Sequence, residues 1–212
     1  MVFDRAAWPF VSAALVPAVL LAIVGRWLWA VPFLVLAGFL LYFFRDPDRR
    51  TESAADEVVA PADGRVVVAG DVEPGAAPPG EWQQISIFLS PMDVHINRAP
   101  IGGTVERIEY RPGRFLPAYK REAARENERN EIWIDHDGQT VVCRQVVGVL
   151  ARRLVCRVNE GARLATGERF GLMKFGSRID LFLPPAATIL VRVGDRVRAG
   201  ITIVARLPHG GR

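Results

Sequence analysis

Cysteine, histidine and lysine are all scarce in this chain of 212 residues, and each shortage closes off a class of function. The two cysteines, Cys143 and Cys156, stand 13 positions apart, which makes neither a CxxC pair, nor a zinc framework, nor the scaffold of a small secreted protein. They read as two buried thiols in a reducing compartment. Lys120 and Lys174 are the only lysines among 27 basic residues. The rest are arginines, whose planar fork binds carboxylates and phosphates bidentately. The formal charge of +4 is mild, and no basic run is interleaved with aromatics, so nucleic acid is not an expected partner. The usual nucleophile, nucleotide and zinc-protease motifs are missing: GxSxG, the P-loop, HExxH, and GxGxxG after a strand. At 50% hydrophobic residues the chain is too apolar to be disordered, and it is too long to need disulfide staples.

What is present begins with two apolar runs. Trp8 to Val24 carries no charge over 17 residues, and after Gly25-Arg26 the stretch Trp27 to Phe44 carries none over 18. Spanning a bilayer core takes roughly 20 apolar helical residues, with a lower limit near 17. A second run following at once, with no small-residue cleavage site, argues against a signal peptide. Pro17 and Pro32 are tolerable in membrane helices. The reading is a transmembrane helical hairpin turning at Gly25-Arg26, within an anchor of residues 1–50. Arg45, Arg49 and Arg50 follow the second run, and basic flanks favour the cytoplasmic side. The expected location is therefore the inner membrane, with residues 51–212 facing the cytoplasm.

That remainder reads as short strands separated by Gly, Pro and Asp-Gly punctuation. The expected strands are 57–60, 65–69, 84–89, 103–110, 131–135, 140–147, 153–158, 179–183, 188–193 and 201–207. Only 118–129 reads as a helix or mobile loop, with charges nearly all round. The expected fold is mainly β within an α+β class, an antiparallel barrel or sandwich. Asp63-Gly64-Arg65-Val66 and the stretch Gly194 to Gly200 look alike, and the second resembles the hairpin of biotinyl and lipoyl hammerhead domains.

Few residues offer chemistry. His209 lies in the terminal tail, and His136, in Asp135-His136-Asp137-Gly138, reads most simply as part of a hairpin turn. His95 differs. If 93–97 is extended, Asp93, His95 and Asn97 share one face, and a histidine so flanked suits acid–base work. Asp63 in Ala62-Asp63-Gly64 is either a turn residue or a catalytic carboxylate. Gly176-Ser177 is either a turn or a self-cleavage site, since a serine hydroxyl can attack the carbonyl before it and glycine leaves that carbonyl open.

The ordered set decides among these alternatives. Phe44-Arg45-Asp46-Pro47, Pro61-Ala62-Asp63-Gly64, Ser90 to Pro100, Asn127-Glu128-Arg129-Asn130, Gly148 to Arg153, Gly167-Glu168-Arg169-Phe170-Gly171 and Phe175-Gly176-Ser177-Arg178 follow one another in one chain. Together they resemble the phosphatidylserine decarboxylase family in its short membrane-anchored form. The resemblance implies a carboxy-lyase that cuts itself between Gly176 and Ser177 into a β chain, 1–176, and an α chain, 177–212, paired as a heterodimer. Ser177 would become a pyruvoyl group, with Asp63 and His95 completing the maturation site. The headgroup amine of phosphatidylserine would form a Schiff base with the pyruvoyl ketone. Carbon dioxide would leave into that electron sink, giving phosphatidylethanolamine. His95 is also a candidate proton donor to the decarboxylated product. Arg129, with Asn127 and Asn130, is a candidate for the headgroup phosphodiester. Neither a metal nor pyridoxal phosphate is called for, and a higher oligomer stays open.

Two departures from the longer family members stand out. Arg98 occupies the place of a second histidine, and Phe-Gly-Ser-Arg replaces Leu-Gly-Ser-Thr at the cut. Arg178 beside a pyruvoyl group would stabilise a bound carboxylate and oppose its loss, so it is not assigned as a carboxylate clamp. The rival reading is a biotinyl-like carrier or adaptor, because Met173-Lys174 is similar to the Met-Lys hairpin of biotinylated domains. A serine hydrolase using an intact Ser177 is a further rival.

Overall fold

The computed structural model describes residues 2–120, 122–149, 154–174 and 176–208. Leu150 to Arg153, Phe175 and His209, each named in the sequence reading, lie outside them. The chain divides into two compact units, Met1–Asp48 and Arg49–Arg212.

In the first unit β1 (Val2–Phe3), α1 (Trp8–Ile23), α2 (Trp27–Phe43) and β2 (Arg45–Asp46) follow in order, and β1 pairs antiparallel with β2. The helices pack on each other as an apolar pair, joined through Gly25, whose φ of 73° lets the chain reverse. The buried positions along them are mostly small: Ala14, Ala18, Ala30 and Ala37. Small residues let two helix backbones approach closely. The outer positions are large and apolar, among them Leu20, Ile23, Trp29 and Val35, each more than half exposed. Such a surface is unfavourable in water and suits hydrocarbon. Among the described residues Arg5–Ile23 is long and apolar enough to cross a membrane, while Trp27–Phe43 is apolar but shorter.

The second unit contains β3 (Glu57–Val59), β4 (Gly64–Gly70), β5 (Gln83–Leu89), β6 (Ile96–Arg98), β7 (Gly103–Arg111), α3 (Ala123–Glu126), β8 (Arg129–His136), β9 (Gln139–Val146), β10 (Leu154–Cys156), β11 (Arg163–Leu164), β12 (Arg169–Met173), β13 (Ser177–Leu183), β14 (Thr188–Ile189), β15 (Arg196–Val197) and β16 (Ile203–Arg206). Eight strands form one curled antiparallel sheet in the order β11-β7-β8-β9-β13-β5-β4-β15. Two three-stranded sheets, β10-β12-β6 and β14-β16-β3, complete the unit. The expected mainly β, antiparallel class is what the chain adopts.

Alternation along the strands sets the core. Ile85, Ile87 and Leu89 of β5 and Ile179, Leu181 and Leu183 of β13 point to one face. There they meet Ile132, Cys143, Phe170, Met173 and Val204 from β8, β9, β12 and β16, so all three sheets share one core. Cys143 is fully buried, which pushes its thiol pKa up, whereas Cys156 is only half-buried. The turn joining β8 to β9 places Asp137 and Gly138 at φ 50° and 80°, the left-handed pair of a two-residue hairpin. His136 flanks it with Nδ1 2.7 Å from the Gly102 carbonyl. The two look-alike stretches pair with each other, Arg65 opposite Arg196 and Gly64 opposite Val197.

Two expectations change. In 118–129, read as a helix or mobile loop, the helix is confined to α3, because the Asn127 side chain captures backbone groups of Leu116 and Val147 and β8 begins at Arg129. The strand of 188–193 shortens to Thr188–Ile189, ahead of a turn in which Arg192 N–H donates to the Asp195 carboxylate.

Candidate active site

The Leu89 end of β5 gathers the candidate residues. Ser177 begins β13 opposite Leu89. Arg65 stands opposite Phe88, so Asp63, two residues earlier, lies beyond the same end. His95 follows a turn in which Ser90 N–H donates to Asp93 Oδ2 at 2.9 Å and Asp93 N–H donates to the Ser90 carbonyl at 2.9 Å. The carbonyl of His95 accepts from Met173 N–H at 3.2 Å, tying it to the strand that leads toward Ser177.

Ser177 is fully buried, and its Oγ has no hydrogen-bond partner among the described residues. Gly176 before it has φ 70°, a left-handed conformation that disfavours any residue with a Cβ. His95 is also fully buried, with Nδ1 2.9 Å from the Asp93 carbonyl. A carbonyl can only accept, so Nδ1 carries the proton and Nε2 is the basic nitrogen of the neutral ring.

Asp63 is engaged elsewhere than on the histidine. Its carboxylate receives Arg49 through two hydrogen bonds, 2.5 and 2.8 Å, and the Ala199 N–H at 2.8 Å. Arg49 also donates to the Ala199 carbonyl at 2.9 Å. The sequence marked Arg49 only as a basic flank of an apolar run, and nothing local announces its pairing with Asp63.

Strand register separates the three candidates of the Asn127–Asn130 motif. Asn130 stands opposite Gln145, which stands opposite Ile179, so Asn130 shares the Ser177 face. Its amide donates to Gln145 at 3.4 Å, and Gln145 donates to Asn97 Oδ1 at 2.8 Å. The chain of buried amides ends at Asn97 Nδ2, which has no partner among the described residues. Asn97 was visible by alternation as a neighbour of His95, while Gln145 was not. Arg129 stands opposite Val146, which stands opposite Arg178, so it lies on the other face. There it reaches the Arg125 carbonyl at 2.6 Å, and burial, reinforced by nearby Arg144, lowers its pKa. Asn127 spends its amide on Leu116 N–H, the Leu116 carbonyl and the Val147 carbonyl, at 2.9, 2.8 and 2.8 Å.

Arg178 is turned away from Ser177 by the same alternation. It pairs with Asp180 and Glu73 and donates to Ser86 Oγ at 2.9 Å. Burial works against its charge, but Asp180 and Glu73 outweigh burial and raise its pKa. Arg98 is buried and donates to the Gly167 carbonyl at 2.9 Å, a tie between loops. Lys174 is half-buried and follows the fully buried Met173.

Comparison with known proteins agrees with this picture. The family profile described as phosphatidylserine decarboxylase matches residues 36–205. The chain belongs to the phosphatidylserine decarboxylase family. A phosphatidylserine decarboxylase proenzyme of Nitrosomonas europaea is 43% identical over 205 residues, covering 96% of this chain and 94% of the relative. One of Magnetococcus marinus is 47% identical over 184 residues, covering 85% and 84%. One of Salinibacter ruber is 45% identical over 192 residues, covering 87% and 85%. Family membership sets the carrier reading of Lys174 aside. Among the described residues no cluster of His, Cys, Asp and Glu has the makings of a metal site.

Proposed function

We propose that this chain is a membrane-anchored phosphatidylserine decarboxylase that makes its own catalytic group by cutting itself between Gly176 and Ser177. The observation that carries the reading is the Ser177 hydroxyl, buried and without a partner among the described residues, directly after a glycine at φ 70°. A buried hydroxyl left unpaired is unfavourable by about 1–3 kcal/mol, which fits a group kept for chemistry rather than for stability.

The cut balances with the chain's own groups and water. Ser177 Oγ bonds to the Gly176 carbonyl carbon as the peptide C–N bond breaks. The hydroxyl proton passes by way of His95 Nε2 to the new amine, leaving an ester. Elimination across Cα–Cβ of Ser177 breaks the ester and leaves a carboxylate on Gly176. The remaining dehydroalanine takes up water and loses ammonia, giving a pyruvoyl ketone on residue 177. The small, buried, unpartnered position of Ser177 fits such a group. The ketone supplies Schiff-base chemistry toward the serine amine of the lipid headgroup, an electron sink as carbon dioxide leaves.

His95 is the proton carrier, held in one tautomer by the Asp93 carbonyl. Asp63 acts at the same sheet end through the contacts it makes with Arg49 and Ala199. On the Ser177 face the open donor is Asn97 Nδ2, at the end of the Asn97-Gln145-Asn130 chain, while Arg129, the candidate for the headgroup phosphodiester, lies on the other face. Residues 1–50 anchor the enzyme in the inner membrane, with residues 51–212 on the cytoplasmic face, where the basic flank favours them. The β chain, 1–176, and the α chain, 177–212, stay together as a heterodimer because β13 lies between β9 and β5.

The test is the intact mass of the full chain in detergent under reducing, denaturing conditions, beside Ser177→Ala and His95→Ala. The expected wild type is two fragments meeting at Gly176/Ser177, the smaller lighter by one ammonia, with both variants uncut. An uncut, unmodified wild type in detergent and lipid would remove the proposal.

A further inference from the structure

Two glycines meet at the proposed cut for different reasons. At Gly176 a Cβ would meet nothing within 4 Å, so its requirement is the left-handed backbone. At Gly148 the requirement is space. A Cβ there would stand 2.0 Å from the Gly176 carbonyl oxygen and 3.1 Å from its carbonyl carbon. Both obstacles are main-chain atoms, so no side-chain rotation relieves the clash.

The sheet explains the approach. Arg178 pairs with Val146, and continuing the antiparallel register by two residues puts Gly148 opposite Gly176. The ladder itself does not continue. Val147 N–H donates to the Glu128 carbonyl at 3.1 Å, and the Val147 carbonyl accepts from Asn127 Nδ2 at 2.8 Å. Asn127 in turn grips Leu116 at both its N–H and its carbonyl. Val147 is thus held from the side away from β13, and Gly148, next in the chain, brings a bare Cα against the carbonyl that Ser177 must attack.

We infer that Gly148 is a positioning residue for self-cutting: it seats the scissile carbonyl of Gly176, and Asn127 braces the seat through Val147. The inference rests on the proposed cut at Gly176–Ser177 and deepens it. Attack by a neighbouring hydroxyl needs the carbonyl face turned to the oxygen at close range. A displacement of about 1 Å is enough to slow such a reaction on the order of 100-fold. A methyl group at residue 148 forces a displacement of that size on the reacting carbonyl or on the strand end that carries residue 148. Asn127, considered in the sequence for the headgroup phosphodiester, acquires a different task.

The test follows the rate of chain cutting in freshly made full-length protein in detergent, for wild type, Ser177→Ala, Gly148→Ala and Asn127→Asp, with the melting temperature of each. Gly148→Ala is expected to cut at least ten-fold more slowly than wild type while melting within a few degrees of Ser177→Ala. Hydroxylamine, which cleaves an accumulated ester, should not restore its cutting, because the defect precedes the ester. Asn127→Asp keeps the acceptor for Leu116 N–H and loses both donated bonds, so it should cut several-fold more slowly. It decides the matter if Gly148→Ala does not fold. Cutting at the wild-type rate, or recovery of two chains with hydroxylamine, would overturn the seat. If wild type cuts, Ser177→Ala does not and Gly148→Ala cuts normally, only this inference falls. If wild type itself stays whole, the self-cutting reading falls with it.

Discussion

On one face of β13 Arg178 and Asp180 are buried, yet both are partnered: Arg178 meets Asp180, Glu73 and Ser86, and Ser86 Oγ donates to Asp180 at 2.6 Å. On the other face Ser177 shares its side with Ile179, Leu181 and Leu183, and its hydroxyl has no partner among the described residues. One strand thus buries a charged cluster joined by several hydrogen bonds, with Asp180 Oδ2 left over, and a serine hydroxyl for which the described residues offer no partner. The charged face is closed by the 71–82 connection, whose Glu73 and Ala76 reach Arg178 and Arg144. Beside so well paired a guanidinium, the unpaired hydroxyl supports the role proposed for Ser177 in the cut.

Breaking the serine side should cost all function and no stability. Ser177→Ala is expected to abolish cutting and decarboxylation, while its thermal midpoint is no lower than that of wild-type proenzyme caught before cutting. A clear drop in that midpoint would mean that the hydroxyl is a structural partner after all. Breaking the charged side should do the reverse. Arg178→Leu leaves Asp180 and Glu73 facing each other without their cation and is expected to lose about 3–5 kcal/mol in thermal melts. Whatever fraction folds should still cut.

A smaller effect separates two roles for Asp63. Asp63→Asn and Arg49→Leu are each expected to slow cutting several-fold, and the double variant to be little worse than either, since both remove one contact. A much larger loss from Asp63→Asn alone would give the carboxylate a role in the cut separate from its contact with Arg49. The smallest effect lies far from the site. Glu57 is held below the usual carboxylate range by the Ala54 N–H and then by Arg206, 2.9 Å away. Its contribution is present above the ordinary carboxylate pKa and is lost as pH falls through its lowered value. The difference in melting temperature between wild type and Glu57→Gln should therefore be visible at neutral pH and vanish in strong acid.

Period-two alternation made most of the large sheet legible, and β5 and β13 are the clearest cases, with Ile, Leu and Phe recurring between polar residues. The short strands β11, β12 and β15 were not foreseen, because two to five residues carry too little pattern to stand apart from a loop, and β6 was read only conditionally, within an extended 93–97. The site residues Ser177, His95 and Asp63 were legible only as an ordered set of motifs. Their gathering at the end of β5 depends on pairings between residues far apart in sequence, such as Ser177 with Leu89. The partners were hidden for the same reason. Nothing near Arg49 points to Asp63, and nothing near Gly148 points to Gly176. Arg129 and Asn130 are neighbours in the chain, but register sends them to opposite faces.

The position of β13 has a consequence for the life of the molecule after a cut at its first residue. The strand is flanked by β9 and β5, β15 pairs with β4, and β16 pairs with β3, all of them partners from residues 1–176. Among the described residues of 177–212, the strand pairing internal to that piece is that of β14 with β16. If the proposed cut occurs, folding would have to come before it. A molecule cut there would be durable for as long as it stayed folded. Melting would release a fragment whose return is a second-order event, so the mature molecule would denature in one direction where its precursor could refold.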